Sequence, residues 1–174
     1  SVLSLRDDHV HHQPTIDPTS QSVLCWNGEA WKVASEHLQG NDTDLIFKLF
    51  LQAVKLPPKR QDATNRRDAV RRLADVISSI SGPFSFVFYD AFNSKLFFSR
   101  DRLGRRSLLQ GRDETGALKL CSLCDGTSTN FEEVGTNGVH VVDLTTGETD
   151  AYNIVTLPWD GEDMSRGHIV CAFG

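Results

Sequence analysis

The pair Asn27-Gly28 ends the apolar, β-prone run Ser22-Val23-Leu24-Cys25-Trp26, and its chemistry is that of neutral hydrogen-bond donors. A strand that runs into Asn-Gly favours a tight turn, because Gly, and less readily Asn, tolerates positive φ. Such a turn takes the Asn27 carboxamide and the Gly28 N–H out of ladder bonding. Two neutral donors on a rigid strand end face a developing negative charge without reorganising, which is what an oxyanion hole requires. The same dipeptide is also the strongest short hairpin signal, and alone it does not separate the two readings. Asp42, in Gly40-Asn41-Asp42-Thr43-Asp44, supplies a carboxylate at a helix start, fit either to hold an ammonium group or to cap the helix. Two further groups of reactive side chains carry less. Cys121-Ser122-Leu123-Cys124 has C-x-x-C spacing, but zinc sites take about four ligands in paired clusters. His9, His11 and His12 lie elsewhere, in the loop beside Gln13-Pro14. Gly104, Gly111 and Gly116 do not form a phosphate loop, since no strand–glycine–helix pattern surrounds them.

The elements that position these residues follow from periodicity. Ser1–Leu5 alternates apolar and polar residues and reads as a strand already under way at residue 1. A polar loop with two prolines, Arg6 to Ser20, delivers the chain to the strand 22–26, expected at the centre of a sheet. Leu45 to Leu51 places apolar residues at helical spacing, so a helix is expected from about Thr43 to Val54, ended by Pro57-Pro58. Lys59 to Arg67 reads as a charged surface loop. A second helix, Asp68 to Ile80, carries Val70, Leu73, Ala74, Ile77 and Ile80 on one face, with Arg71 and Arg72 directed to solvent. Phe84–Asp90 and Leu96–Arg100 flank a turn and predict a β-hairpin. The loop Asp101–Leu109 follows, with Gly104 at a position needing positive φ. Strands are expected at Leu118–Leu123, Gly138–Leu144 and Asp150–Val155, with Pro158-Trp159-Asp160-Gly161 as an exit. Helices inserted among closely spaced strands mean an α+β fold rather than βαβ units.

The 174 residues fit one domain with a substantial core. With 39% apolar residues, 24% charged residues and a net charge of −5, the chain has the make-up of a soluble globular protein. Nothing global points to a nucleic-acid or anionic-membrane partner. No apolar run approaches the roughly 20 residues that span a bilayer, and no signal-peptide pattern opens the chain. Cys25, Cys121, Cys124 and Cys171 do not form a disulfide framework, so a reduced, cytoplasmic setting is expected.

Three blocks in order, Leu24-Cys25-Trp26-Asn27-Gly28-Glu29, Asn41-Asp42-Thr43-Asp44, and Gly82-Pro83-Phe84-Ser85-Phe86 leading to Arg100-Asp101-Arg102-Leu103-Gly104-Arg105-Arg106-Ser107-Leu108-Leu109, together resemble a known family. It is the glutaminase domain of class II glutamine amidotransferases, in the asparagine synthetase branch, and the likeness covers residues 1–159. The resemblance implies an N-terminal nucleophile hydrolase fold, a four-layer αββα sandwich of mostly antiparallel sheets. It implies hydrolysis of glutamine to glutamate and ammonia, used by an asparagine-synthetase-type domain of the same parent chain in asparagine biosynthesis, a ligase reaction. Asn27 and Gly28 would form the oxyanion hole, Asp42 would hold the substrate's α-ammonium, and Glu29 would line the same pocket. No cofactor is implied for this domain; ATP and magnesium would belong to the synthetase domain.

The departures from the family pattern are at the N-terminal end. The family nucleophile is an N-terminal cysteine whose own α-amine acts as base. Residue 1 here is Ser, aligned inside a strand downstream of that cysteine, so Ser1 is not the nucleophile and the domain reads as N-terminally incomplete. The family arginine that grips the substrate carboxylate has one candidate, Arg6, offset by about three residues, which turns a strand side chain to the opposite face. The expectation is therefore a glutaminase scaffold without its reactive end. The alternative is a catalytically dead glutamine-binding or assembly domain. Residues 160–174 read as an exit segment or an extra edge strand. His168–Phe173 resembles the strand that follows the family's cysteine, and is expected in or beside that strand's slot.

Overall fold

Alternation of buried and exposed side chains along β2 (Val23–Gly28) builds the two faces of the main sheet: Leu24 and Trp26 are buried while Cys25 and Asn27 are exposed. The computed structural model describes residues 12–55, 64–124, 130–145 and 153–159. The expectations for Ser1–Leu5, Arg6, residues 56–63 and residues 160–174 lie outside the described residues.

The short strand β1 (Thr15–Ile16) precedes β2, and the two-residue strands β3 (Lys32–Val33) and β4 (Glu36–His37) follow it. Two helices come next, α1 (Asp42–Lys55) and α2 (Thr64–Ser78), then β5 (Ile80–Ser81). The hairpin β6 (Phe84–Asp90) and β7 (Lys95–Arg100) leads to β8 (Leu109–Arg112), β9 (Leu118–Cys121), β10 (Phe131–Glu133), β11 (Gly138–Asp143) and β12 (Ile154–Pro158). Six strands form one sheet in the order β1-β2-β6-β7-β11-β12; β10-β8-β9 and β4-β3-β5 form two smaller sheets. Every pairing is antiparallel. The α+β expectation therefore holds. Among the described residues the strand expected at the centre is second from an edge, and β6 and β7 occupy the middle.

The helices cover one face of the large sheet. Ile46, Phe47, Phe50, Leu73 and Ile77 pack on Leu24, Trp26, Phe84, Phe86 and Phe88. Aromatic contacts organise this layer: Trp26 stacks on Phe84 at 5.2 Å, and Phe50 meets Phe86 and Phe88 edge-on at 5.2 and 5.4 Å, geometries worth about 1 kcal/mol each beyond their burial. The opposite face carries Phe98 and Val142, packed with Leu108, Val134, Leu118 and Leu120 from the β10-β8-β9 side. Helices, large sheet and small sheet are thus three layers of the expected four among the described residues.

Several local expectations need correction. The second helix starts at Thr64 rather than Asp68 and stops at Ser78, so residues 64–67 are helical and Ile80 reaches the core from a strand. Arg72 is not simply solvated: its Nε donates to the Ala53 carbonyl at 2.9 Å, near the C-terminal end of α1 where a cation complements the helix dipole. Strand β12 runs through Thr156-Leu157-Pro158, so Pro158 belongs to the sheet; among the described residues β12 is an edge strand, where a proline is tolerated. Gly104 does adopt positive φ, 64°, as expected.

His140 on β11 is buried, with Nδ1 at 2.9 Å from Thr156 Oγ1, Nε2 at 3.0 Å from the Gly135 carbonyl, and its ring on Phe98. A carbonyl partner requires Nε2–H, which leaves Nδ1 to accept from the threonine hydroxyl. Burial pushes its pKa below the ordinary 6.5. The unfolded chain therefore binds a proton first as pH falls, and stability is full above about 6.5 and declines below it. Urea midpoints should drop from pH 8 to pH 5, and His140→Gln should lose more stability at pH 8 than at pH 5. Equal losses at both values would refute a neutral native His140.

Candidate active site at the end of strand β2

Asn27 and Gly28 are not a turn. They are the last residues of β2, in register with Ser85 and Phe84 on β6, and the ladder continues as Glu29 N donates to Pro83 O at 2.8 Å. Gly28 has no positive φ among the residues that do; what requires glycine is space. A Cβ there would lie 2.4 Å from Pro83 O and 2.6 Å from Phe84 Cα. In an antiparallel ladder, backbone groups alternate between neighbours. Glu29, and with it Asn27, faces β6, so the backbone of Trp26 and Gly28 points to the opposite edge.

That edge is filled at Trp26 by a side chain. Gln13 Oε1 accepts from Trp26 N–H and Gln13 Nε2 donates to Trp26 C=O, both at 2.6 Å. On the helix side, Asp42 Oδ2 accepts from Ala30 N–H at 2.6 Å and from the Trp26 indole N–H at 3.3 Å. Asn41 is the cap of α1, its Oδ1 accepting from Asp44 N–H at 3.2 Å. The two residues at this helix start divide the work: Asn41 caps the helix, and Asp42 reaches back to hold the strand end.

A cavity of about 290 Å³ opens between the two sheets. Gln13, Cys25, Asn27 and Ser85 form its large-sheet wall, and Leu108, Leu120, Cys121 and Ser122 the other. Among the described residues no charged side chain lines it. Asn27 is therefore at the cavity, whereas Asp42 binds on the opposite, helix-facing side of β2; the structure does not bring both carboxamide and carboxylate into one enclosed space. Glu29 stands one residue past the strand end and is half-buried, outside the cavity lining. Arg6 lies outside the described residues. Cys25 and Cys121, distant in sequence, share this cavity. Burial pushes both thiols up, and Cys124 nearby adds to the rise at Cys121, so neither is prepared as a thiolate nucleophile. Sequence periodicity missed Gln13, Ser85, Leu120 and Cys121 as site-lining residues, because their convergence depends on how two sheets face each other.

Behind the site, Asp101 fixes the loop after β7. Its Oδ2 accepts from Phe84 N–H at 3.1 Å and Arg105 N–H at 3.0 Å, and its Oδ1 from Leu103 N–H at 3.1 Å and Arg105 Nε at 2.9 Å. Arg105 also donates to Gly82 O at 2.7 Å. Asp101 so ties the start of β6, which pairs with Gly28, to the loop that carries Leu108 into the cavity wall.

A family model described as a glutamine amidotransferase domain matches residues 1–126. The chain belongs to this family. It is 30% identical over 152 residues to the Bos taurus asparagine synthetase domain-containing protein 1, covering 84% of this chain and 21% of that protein. It is likewise 30% identical over 164 residues to the Homo sapiens protein of that name, covering 91% of this chain and 23% of the relative. The chain thus spans about a fifth of the length of these relatives. Among solved structures, glutamine phosphoribosylpyrophosphate amidotransferase from B. subtilis, complexed with ADP and GMP, superposes with a TM-score of 0.54 at 15% identity, over 87% of this chain and 34% of that one. That likeness is one of fold, and with the family match it bears out the N-terminal nucleophile hydrolase-like architecture. Among the described residues no helix is long and apolar enough to cross a membrane.

Proposed function

We propose that this amidotransferase domain binds glutamine at the end of β2, with Asn27 and Gly28 as the oxyanion-hole donors. The observation that carries the reading is the exposed Asn27 side chain at an uncharged cavity of about 290 Å³, large enough for a glutamine side chain, in a chain of this family. The γ-carboxamide would enter the cavity, with its oxygen toward the Asn27 amide and the Gly28 N–H, donors already fixed by the ladder. The charged end of the amino acid would stay outside the uncharged lining, near Glu29. Asp42 keeps one oxygen on Ala30 and Trp26 on the helix-facing side of β2, so its part in this reading is to hold the strand end rather than the α-ammonium. Arg6 is the candidate for the carboxylate.

The described residues are assigned the binding half of the reaction, and hydrolysis would need in addition the N-terminal cysteine and α-amine pair that this family uses. Ammonia would pass to an asparagine-synthetase-type domain of the parent chain, where ATP and magnesium act, in a cytoplasmic setting. The second reading is a glutamine-binding or assembly domain without hydrolysis in any parent. Titrating glutamine into the isotope-labelled chain tests the proposal. Saturable shifts at Asn27, Gly28 and Ser85 are expected, weakened at least tenfold in Asn27→Ala with the fold intact. No shift at tens of millimolar glutamine rules glutamine binding out, and binding undiminished in Asn27→Ala removes Asn27 from the site.

A further inference from the structure

We propose that Gln13 is a positioning residue for the Asn27–Gly28 donors, its carboxamide standing in for the backbone of a neighbouring strand at the point where the real strand stops. The inference rests on the reading that glutamine binds at the end of β2. Strand β1 pairs Thr15 with Leu24 and Ile16 with Val23. Continued by the same register, residue 13 would face Trp26. Among the described residues the β1–β2 ladder is made only at Thr15 and Ile16, so the main chain of this segment makes no further pairing with β2. The Gln13 side chain takes over, accepting from Trp26 N–H and donating to Trp26 C=O, each at 2.6 Å. A primary carboxamide, the group that Asn and Gln carry, presents the donor and the acceptor of a peptide group together.

The consequence is local. Asn27 and Gly28 follow Trp26 directly, and their other neighbours already hold them: β6 through the ladder, and Asp42 through Trp26 Nε1 and Ala30 N. Without Gln13, the outer edge of the strand is open at the residue before the donors, on the side toward which Gly28 N–H points. Gln13 also lines the cavity beside Asn27, so its loss would let water reach the Trp26 peptide from the substrate side. Donors act on a developing charge only as far as they are fixed beforehand, and Gln13 supplies the third side of that fixation.

The test compares the 174-residue chain with Gln13→Ala and Gln13→Glu. The glutamate variant keeps the shape and the acceptor for Trp26 N–H, so it should fold even where alanine does not, but it cannot donate to Trp26 C=O. Lys55→Ala is the control, removing the ion pair to Asp17 in the same loop region without touching Trp26. Amide hydrogen exchange, read by NMR in the free protein, should quicken at least tenfold at Gly28 in both Gln13 variants and at Trp26 in Gln13→Ala, and at neither residue in the control. Glutamine affinity should fall at least tenfold in the same two variants, with the far-ultraviolet circular dichroism unchanged. Unaltered Gly28 exchange in Gln13→Glu overturns the proposal, as does wild-type glutamine affinity in that variant. If the wild-type chain binds no glutamine while Gly28 exchange still quickens in the variants, the positioning role stands and the glutamine reading falls.

Discussion

Gly28→Ala should cost about 3 kcal/mol or more of folding stability, above the usual range for overpacking because nothing near the new methyl can move aside. The Cβ would meet Pro83 O at 2.4 Å, Phe84 Cα at 2.6 Å and Phe84 Cβ at 2.8 Å. All three are main-chain atoms or directly attached to one. Relief requires β2 to part from β6 at the position where the oxyanion donors are proposed to stand, so glutamine binding should be lost with the stability. Gly135→Ala is the matched comparison, since its Cβ would approach only the far end of the Asn137 side chain at 2.8 Å, which can rotate away; less than about 1 kcal/mol is expected there. Urea unfolding of both variants decides it. A Gly28→Ala loss within 1 kcal/mol of the Gly135 variant would show that the strand end is not held in the Gly28–Phe84 register.

The second large effect is expected at Asp101. This nearly fully buried carboxylate accepts four hydrogen bonds, two on each oxygen. Asp101→Asn keeps the shape but replaces one acceptor by a donor, so two N–H groups at one end face an NH₂. Leaving buried donors without partners costs about 2–4 kcal/mol in sum, which for a chain of this size lowers the melting temperature by roughly 5–15 °C. Glutamine affinity should fall as well, because Phe84 N–H and the cavity residue Leu108 are both set by this loop. A melting temperature within 2 °C of wild type would refute the role given to Asp101.

The elements whose side chains repeat with a clean period were legible in the sequence. Strand β2, helix α1, the β6–β7 hairpin and the antiparallel, α+β character all follow from apolar spacing, and the ordered motif blocks point to the amidotransferase family. Strands β8 and β10 were not legible: Leu-Gln-Gly-Arg and Phe-Glu-Glu are short and polar, and they become strands only by pairing, β8 with both β9 and β10. The function of Gly28 was misread for a physical reason, since a glycine kept for positive φ and one kept for close approach look alike until the facing backbone is known. At Asp42 the acidic type was legible but its partners were not, because the Trp26 indole on β2 and Ala30 N–H just past its end lie sixteen and twelve residues away. Gln13 carried no periodic signal at all; its importance comes from where β1 stops.

Strand β2 divides its duties by parity. Leu24 and Trp26 face the helices and are buried, whereas Cys25 and Asn27 face the cavity and are exposed. A change at an even position removes core contacts and is felt as lost stability, while a change at an odd position alters the cavity and leaves the aromatic layer beneath intact. Selection for folding and selection for chemistry therefore act on different residues of the same six-residue strand. A lineage carrying this domain can retune or abandon its reaction through the odd positions without first becoming unstable. Persistence of the fold in a relative is for this reason no record of persistence of the activity.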